Sequence, residues 1–145
     1  MKLQSQKDFF IRPGTLSDQN EVMSLVQSQG AGKDIEILSG EFGKILQDPQ
    51  VLFKVVVNSN GVVIGLLWCT NVFWKVWAVN PNFRKQELQL GLLNEAKVWA
   101  ETQGGALLAE PNLIFGDLKS FMKRQGVTLE RVTEGTHKGL ESIRF

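Results

Sequence analysis

The chain has 145 residues, 43% of them hydrophobic and 21% charged, the balance of one globular domain spanning residues 1–145. Its formal net charge of +1 gives no bulk electrostatic attraction for nucleic acid or an anionic membrane. No apolar run approaches the roughly 20 residues of a membrane helix, and "MKLQSQKDFFIRP" is too polar for a signal peptide. Cys69 is the one cysteine and His137 the one histidine, so no internal disulfide is possible. Nor is a four-ligand zinc site, unless several carboxylates join them. The expectation is a cytoplasmic protein without a metal.

In chain order, "FFIR" closed by Pro13 reads as a first strand. "TLSDQNEVMSLVQSQG" follows as a helix. Ser17 is placed as its N-cap, Val22, Leu25, Val26 and Gln29 fall at helical spacing, and Gly30 is the stop. "SGEFGKILQDP" predicts a second short helix with Phe42, Ile45 and Leu46 on one face and Pro49 at its end. "VLFKVVV", "VVIGLLWCT" and "NVFWKVWAV" read as three strands. "NSNG" makes the first connection a hairpin, because Asn and Gly tolerate positive φ.

"RKQELQLGLLNEAKVWAETQGG" is the strongest helix, with Leu88, Leu92, Ala96 and Trp99 in one stripe and two glycines to end it. "ALLAE" is a short buried strand. "LIFGDLKSFMKRQG" is a further helix with Leu118, Phe121 and Met122 on one side, and "VTLERVTEG" with "GLESIRF" form a closing hairpin. The order β-α-α-β-β-β-α-β-α-β-β predicts an α/β (α+β mixed) fold. Its central sheet is mostly antiparallel and twisted, with one right-handed parallel crossover and helices on both faces.

This order, with these residues, resembles the GNAT family of N-acetyltransferases over nearly the whole chain. "FFIRPGTLSDQNEV" is similar to that family's opening strand and helix, and "NGVVIGLLWC" to its hairpin. "VWAVNPNFRKQELQLGLL" is similar to its cofactor segment, and "SFMKRQGV" to its late helix end. The resemblance implies acetyl-CoA as cofactor. Its pyrophosphate would sit on the loop and helix N-terminus formed by Val79, Arg84, Lys85, Gln86, Glu87, Leu88, Gln89 and Leu90, where unpaired backbone N–H groups attract anions. It also implies that the end of the central strand splays from its neighbour and pairs with the pantetheine arm.

Two departures accompany the resemblance. Val79, Pro81 and Arg84 match the cofactor segment, but the two family glycines fall on Glu87 and Gln89. Glu87 brings a carboxylate where a pyrophosphate is expected, and both residues restore bulk where the backbone should approach the phosphates. Gly91 lies two residues too late to repair the pattern. The family's thiolate-protonating Tyr falls on Met122, a residue with no proton to donate, and the chain contains no Tyr. For a general base, topology offers Glu110, with Asn112 as a polar contact, while Lys75 occupies the central strand.

Plainer readings stand beside these. Glu87 is a good first-turn residue, because a helix N-terminus favours a carboxylate. Cys69 reads as a small buried apolar residue and His137 as a solvated turn residue. Trp68, Trp74, Trp77 and Trp99 read as core or interface. Trp74 and Trp77 have opposite parity, so they are expected on opposite faces of their strand.

Three functions follow. One is an acetyl-CoA-dependent N-acetyltransferase acting on an amine. The second is a GNAT-shaped protein of weak or no activity that acts through a protein partner or as a homo-oligomer, using an aromatic strand surface. Phage virion components include such chains, and a phage-encoded protein would be virion-associated. The third is a CoA or nucleotide sensor without turnover.

Overall fold

The structure, a computed structural model, describes residues 9–28, 34–83, 86–111 and 116–145. Among these, one sheet of seven strands runs in the order β1-β2-β3-β4-β5-β7-β6. The strands are β1 (Phe9–Pro13), β2 (Val51–Asn58), β3 (Val63–Thr70), β4 (Phe73–Val79), β5 (Ala106–Ala109), β6 (Thr128–Arg131) and β7 (Glu141–Arg144). The helices are α1 (Gln19–Ser28), α2 (Asp34–Gln47), α3 (Gln86–Thr102) and α4 (Gly116–Arg124). Every neighbouring pair is antiparallel except β4 and β5, joined through α3. The mixed, mostly antiparallel sheet expected from the element order is therefore present.

The sheet carries a core on each face. On one, Leu88, Leu92 and Ala96 of α3 and Phe121 and Met122 of α4 pack over Phe9, Leu67, Cys69, Trp74, Leu107 and Ile143. On the other, Val22, Leu25 and Val26 of α1 and Leu38, Phe42 and Ile45 of α2 cover Phe53, Val55, Leu66, Trp68 and Val76. β3 is consequently buried from Val63 to Cys69, as expected of a strand covered on both sides. The α3 stripe is carried by Leu88, Leu92, Leu93, Ala96 and Ala100. Trp99 is half-buried at its edge and donates its indole N–H to Asn71 C=O at 2.8 Å.

Three local features differ from the sequence reading. First, Ser17 does not cap α1. A 3-10 turn, Leu16–Asp18, precedes the helix, and Asp18 does the capping. Its carboxylate accepts from Thr15 N–H (2.8 Å) and Thr15 Oγ1 (3.1 Å), and Arg12 of β1 clamps it with two bonds of 2.7 and 2.9 Å. Gln29 and Gly30 lie outside the described residues. Second, α2 begins at Asp34, earlier than "SGEFGKILQDP", but breaks at Glu41 (φ −125°, ψ 20°). The apolar face expected of the short helix, Phe42, Ile45 and Leu46, lies in the second half of α2.

Third, β4 bulges. Cys69 faces Trp74, yet the next β3 residue, Trp68, faces Val76, so Lys75 is an extra residue. A bulge inverts the alternation beyond it. Trp74 and Trp77 therefore share the α3 face instead of opposing each other, with ring centroids 5.5 Å apart. Val76 and Ala78 turn to the α1–α2 face. Trp74 is buried and donates its indole N–H to Val76 C=O at 3.2 Å, a bond across the bulge itself.

Candidate functional site

β4 and β5 meet at the start of β4 and then part. Phe73 lies opposite Leu108, and Leu108 N–H donates to Val72 C=O at 2.7 Å. β5 ends at Ala109, whereas β4 runs on to Val79. Among the described residues no β5 residue faces Trp77 or Ala78. A sheet that opens this way leaves a strand edge toward an extended ligand arm, which could add to it like another strand. Met122, on α4, forms part of the core beneath the parting strands.

At the far end of β4 the chain turns through Pro81–Phe83 into α3. Asn80 holds this turn: its N–H donates to Ile64 C=O at 2.8 Å and its side-chain oxygen accepts from Asn82 N–H at 2.9 Å. Arg84 and Lys85 lie outside the described residues. Gln86 and Glu87 are exposed in the first turn of α3, Leu88 is buried in the core, and Gln89 and Leu90 are half-buried. Val79 is buried.

The open strand edge fits an extended amide-bearing arm. The α3 N-terminus offers unpaired N–H groups but places the Glu87 carboxylate among them, which disfavours a pyrophosphate there. Gly91 has a packing role: a Cβ on it would come 2.7 Å from Ile11 Cδ1 of β1. It lets α3 lie close on the sheet and takes no part in the loop.

Of the chemical candidates, Glu110 is exposed just beyond β5, and Asn112 lies outside the described residues. Met122 is fully buried, and its thioether offers no proton. Cys69 is fully buried; desolvation pushes its thiol well above the ordinary range, which removes it as a nucleophile. His137 is exposed, but it does more than face solvent. Its ring meets Phe73 edge-on at 5.4 Å, laying the β6–β7 loop against the start of β4.

One cavity was not legible in the sequence. On the α2 face, a space of about 320 Å³ opens between α2 and the ends of β2, β3 and β4. Trp68, Phe73 and Lys75 line its sheet side, and Glu41, Lys44 and Asp48 line its helix side. It lies across the sheet from α3, beside the point where β4 and β5 part. Two irregularities border it: the α2 break carries Glu41, and the β4 bulge carries Lys75. Neither is announced by a residue type, although Gly40 stands just before the first.

No protein-family model and no curated protein matches the chain. Solved structures do match in fold. A GNAT-family acetyltransferase from Staphylococcus aureus Mu50 superposes with a TM-score of 0.70 at 11% identity, over 94% of this chain and 98% of that one. A GNAT-family N-acetyltransferase from Escherichia coli, solved with CoA, gives 0.65 at 18% identity, over 99% and 85%. Spermidine N-acetyltransferase from Vibrio cholerae, solved with CoA and spermine, gives 0.63 at 13%, over 95% of each chain. The chain is thus GNAT-like in fold, with the expected open sheet and helices on both faces. No helix among the described residues is long and apolar enough to cross a membrane.

Proposed function

We propose that this protein uses the acetyltransferase scaffold with a weakened grip on acyl-CoA, so that N-acetyltransferase activity is low or absent and its role runs through protein contacts. The observation that carries this reading is the α3 N-terminus. Glu87 is exposed in its first turn and Gln89 is half-buried in the next positions, where the resemblance calls for glycines. A carboxylate repels a pyrophosphate, and side chains at both positions keep the phosphates away from the backbone N–H groups. The partner is a protein or a second copy of the chain, as in a multi-subunit particle such as a phage virion.

Active N-acetyl transfer from acetyl-CoA to an amine is the second reading. The parting of β4 from β5 and the cavity beside it favour that reading. In it, α3 and the β4 edge hold the CoA thioester, and the amine enters from the α2 face. Glu110 is then the candidate to take a proton from the ammonium, directly or through water, so that the neutral amine attacks the thioester carbonyl; the C–S bond breaks, and the CoA thiolate leaves and takes a proton from solvent.

Acetyl-CoA calorimetry on the wild type and a Glu87→Gly, Gln89→Gly variant separates the two. We expect a silent wild type and a variant that binds, with a Kd in the micromolar range, about −8 kcal/mol. Micromolar binding by the wild type overturns the first reading and selects the second. Pull-down from its native source should recover a particle or stable partner; a clean monomer across a wide concentration range removes the protein-contact role.

A further inference from the structure

Among the described residues, the sheet ends in two free edges, β1 and β6, and they are built differently. An unpaired strand edge invites another strand, and proteins discourage this with charges, prolines or bulges. β6 reads Thr-Leu-Glu-Arg, with Glu130 and Arg131 exposed. β1 reads Phe-Phe-Ile-Arg-Pro. Its charge, Arg12, is tied to Asp18 by two bonds of 2.7 and 2.9 Å, and its proline stands at the end. Phe9, Phe10 and Ile11 are left without a guard.

The hydrogen-bond pattern tells which backbone groups of β1 face outward. Gly14 N–H donates to Phe53 C=O at 3.0 Å, so Gly14 is bonded to β2. In an antiparallel ladder, bonded pairs alternate with non-bonded ones. The register then bonds Arg12 to Val55 and Phe10 to Val57. The far side of β2 agrees. Asn71 N–H donates to Gln50 C=O at 2.8 Å, which turns Leu52, Lys54 and Val56 toward β3 and leaves Phe53, Val55 and Val57 for β1. Phe9 and Ile11 therefore each aim an N–H and a C=O away from the sheet. Pro13 aims only a C=O, which already accepts from Arg12 Nη1 at 3.1 Å. Phe9 and Ile11 lean on the α3-side core, so Phe10 stands on the opposite face, where it is 64% exposed.

This edge is complementary to itself. A two-fold axis perpendicular to the sheet at Phe10 sets Phe9 against the partner's Ile11 in a bonded pair. Every outward N–H and C=O of those two residues then finds a mate. Phe10 faces the partner's Phe10 in a non-bonded pair, the kind in which side chains approach most closely. Moving the axis to Ile11 sets Phe9 against the partner's Pro13, which has no N–H, and strands the Phe9 C=O. Arg12, the charge beside the ring, arrives already neutralised by Asp18, so two copies meet without repulsion. An unrelated strand bonds the same backbone groups, but symmetry supplies a matching ring to Phe10 when the incoming strand is a second copy.

We propose that two copies of this chain join β1 to β1 about that axis, so that their sheets run on into one another. The pairing rests on the protein-contact reading for its role and on the β1 edge alone for its geometry. A ladder this short covers less than the roughly 1,600 Å² of a standard interface. The dimer is accordingly a weak one, with a Kd on the order of 100 μM.

The test is sedimentation velocity on the full chain from about 10 μM to about 1 mM, a range that brackets that Kd. The wild type should pass from monomer to dimer. Phe10→Glu, at an exposed position that the fold tolerates, should stay monomeric throughout, because two carboxylates then meet on the axis. Phe10→Cys supplies a geometric readout. Non-bonded partners lie about 4.5 Å apart at Cα, within disulfide reach. Oxidised glutathione serves as oxidant: two thiols couple and the glutathione is reduced. Phe10→Cys should then form a covalent dimer at least about tenfold faster than Lys123→Cys, because pairing holds its thiols at high effective concentration. Lys123 is exposed on α4, and the native Cys69 is buried and does not interfere. A wild type that is monomeric at the top of the concentration range overturns the proposal, whatever else binds that edge. So does a dimer that Phe10→Glu leaves intact, an outcome that keeps a protein-contact role but moves it to another face. Phe10→Cys that cross-links no faster than Lys123→Cys overturns it as well.

Discussion

Asp18 concentrates more bonding than any other carboxylate among the described residues. It is 4% exposed, caps the turn before α1, and is clamped by Arg12 from β1. Hydrogen bonds from the Arg12 guanidinium hold its carboxyl below the usual Asp range, against the opposing effect of burial. A folded-state pKa below the unfolded one gives stability that is present above the unfolded value and lost as pH falls through the folded value. The urea midpoint should therefore drop as pH falls below the unfolded Asp value of about 4, and Asp18→Asn should flatten that part of the profile. At neutral pH the same substitution should cost about 1–3 kcal/mol, because Arg12 loses its partner and Thr15 N–H its acceptor. A variant with an unchanged midpoint at pH 7 removes the clamp as a stabilising feature. "TLSD" carries the Thr-x-x-Asp spacing of such a cap, a local signal that the assignment of the N-cap to Ser17 passes over. The arginine six residues earlier was not legible, because only the path of the chain from β1 into the turn Leu16–Asp18 brings it there. Cys69 yields a second residue-scale prediction. Buried in the α3-side core with a raised pKa, its thiol should resist a disulfide reagent in the native protein and react only as fast as the chain unfolds. Prompt labelling under native conditions contradicts that burial.

At the scale of elements, local signals located strands and helices but not their irregularities. "NSNG" gave its hairpin because the bonds are local: Asn58 accepts from Gly61 N–H at 3.0 Å, and Gly61 adopts φ +80°. α3 was legible because its apolar spacing runs unbroken from Leu88 to Ala100. The β4 bulge was not, because "FWKVWAV" contains no Gly or Pro to mark it. Period-two reasoning therefore puts Trp74 and Trp77 on opposite faces, whereas the bulge brings them to the same one. The cavity was not legible either, since it lies between elements whose packing no local pattern states, and a break and a bulge border it. The bulge makes a specific prediction. Deleting Lys75 restores strict alternation and swings one side of the break, either Trp74 or Trp77 with Val79, off its core face. The deletion should abolish cooperative thermal unfolding and near-ultraviolet circular dichroism. Lys75→Ala keeps the extra residue and should change stability by less than about 1 kcal/mol. If the deletion variant melts like the wild type, the bulge does not set the facing of these tryptophans.

At the scale of the whole molecule, the sheet is two blocks with a narrow joint. β1 to β4 pair continuously, covered by α1 and α2 on one face and α3 on the other. β5, β7 and β6 form the second block, with four register pairs on each side of β7. Between the blocks, the described strands share a single register pair, Phe73 with Leu108. Apolar contacts from Leu107, Ile143, Phe121 and Met122 do most of the joining. The element order implied this gap only through a resemblance, because nothing in "ALLAE" says where its register with β4 stops. Regions with few backbone bonds to their surroundings open at lower free energy than the global transition. Native-state hydrogen exchange should therefore show two tiers. Leu66, Leu67 and Trp68 in β3, bonded on both sides and buried on both faces, should open only with global unfolding. Amides bonded within β5, β6 and β7 should share a lower opening energy, because β6 is an exposed edge and the joint to β4 is slight. That lower tier bears on ligand entry. If the second block moves as a unit against β4, a ligand seated at the joint should raise protection across β5 to β7 and leave β3 unchanged. A single tier, with β7 amides opening at the same energy as Leu67, means the apolar core welds the blocks together, and any ligand must then enter a gap of fixed width.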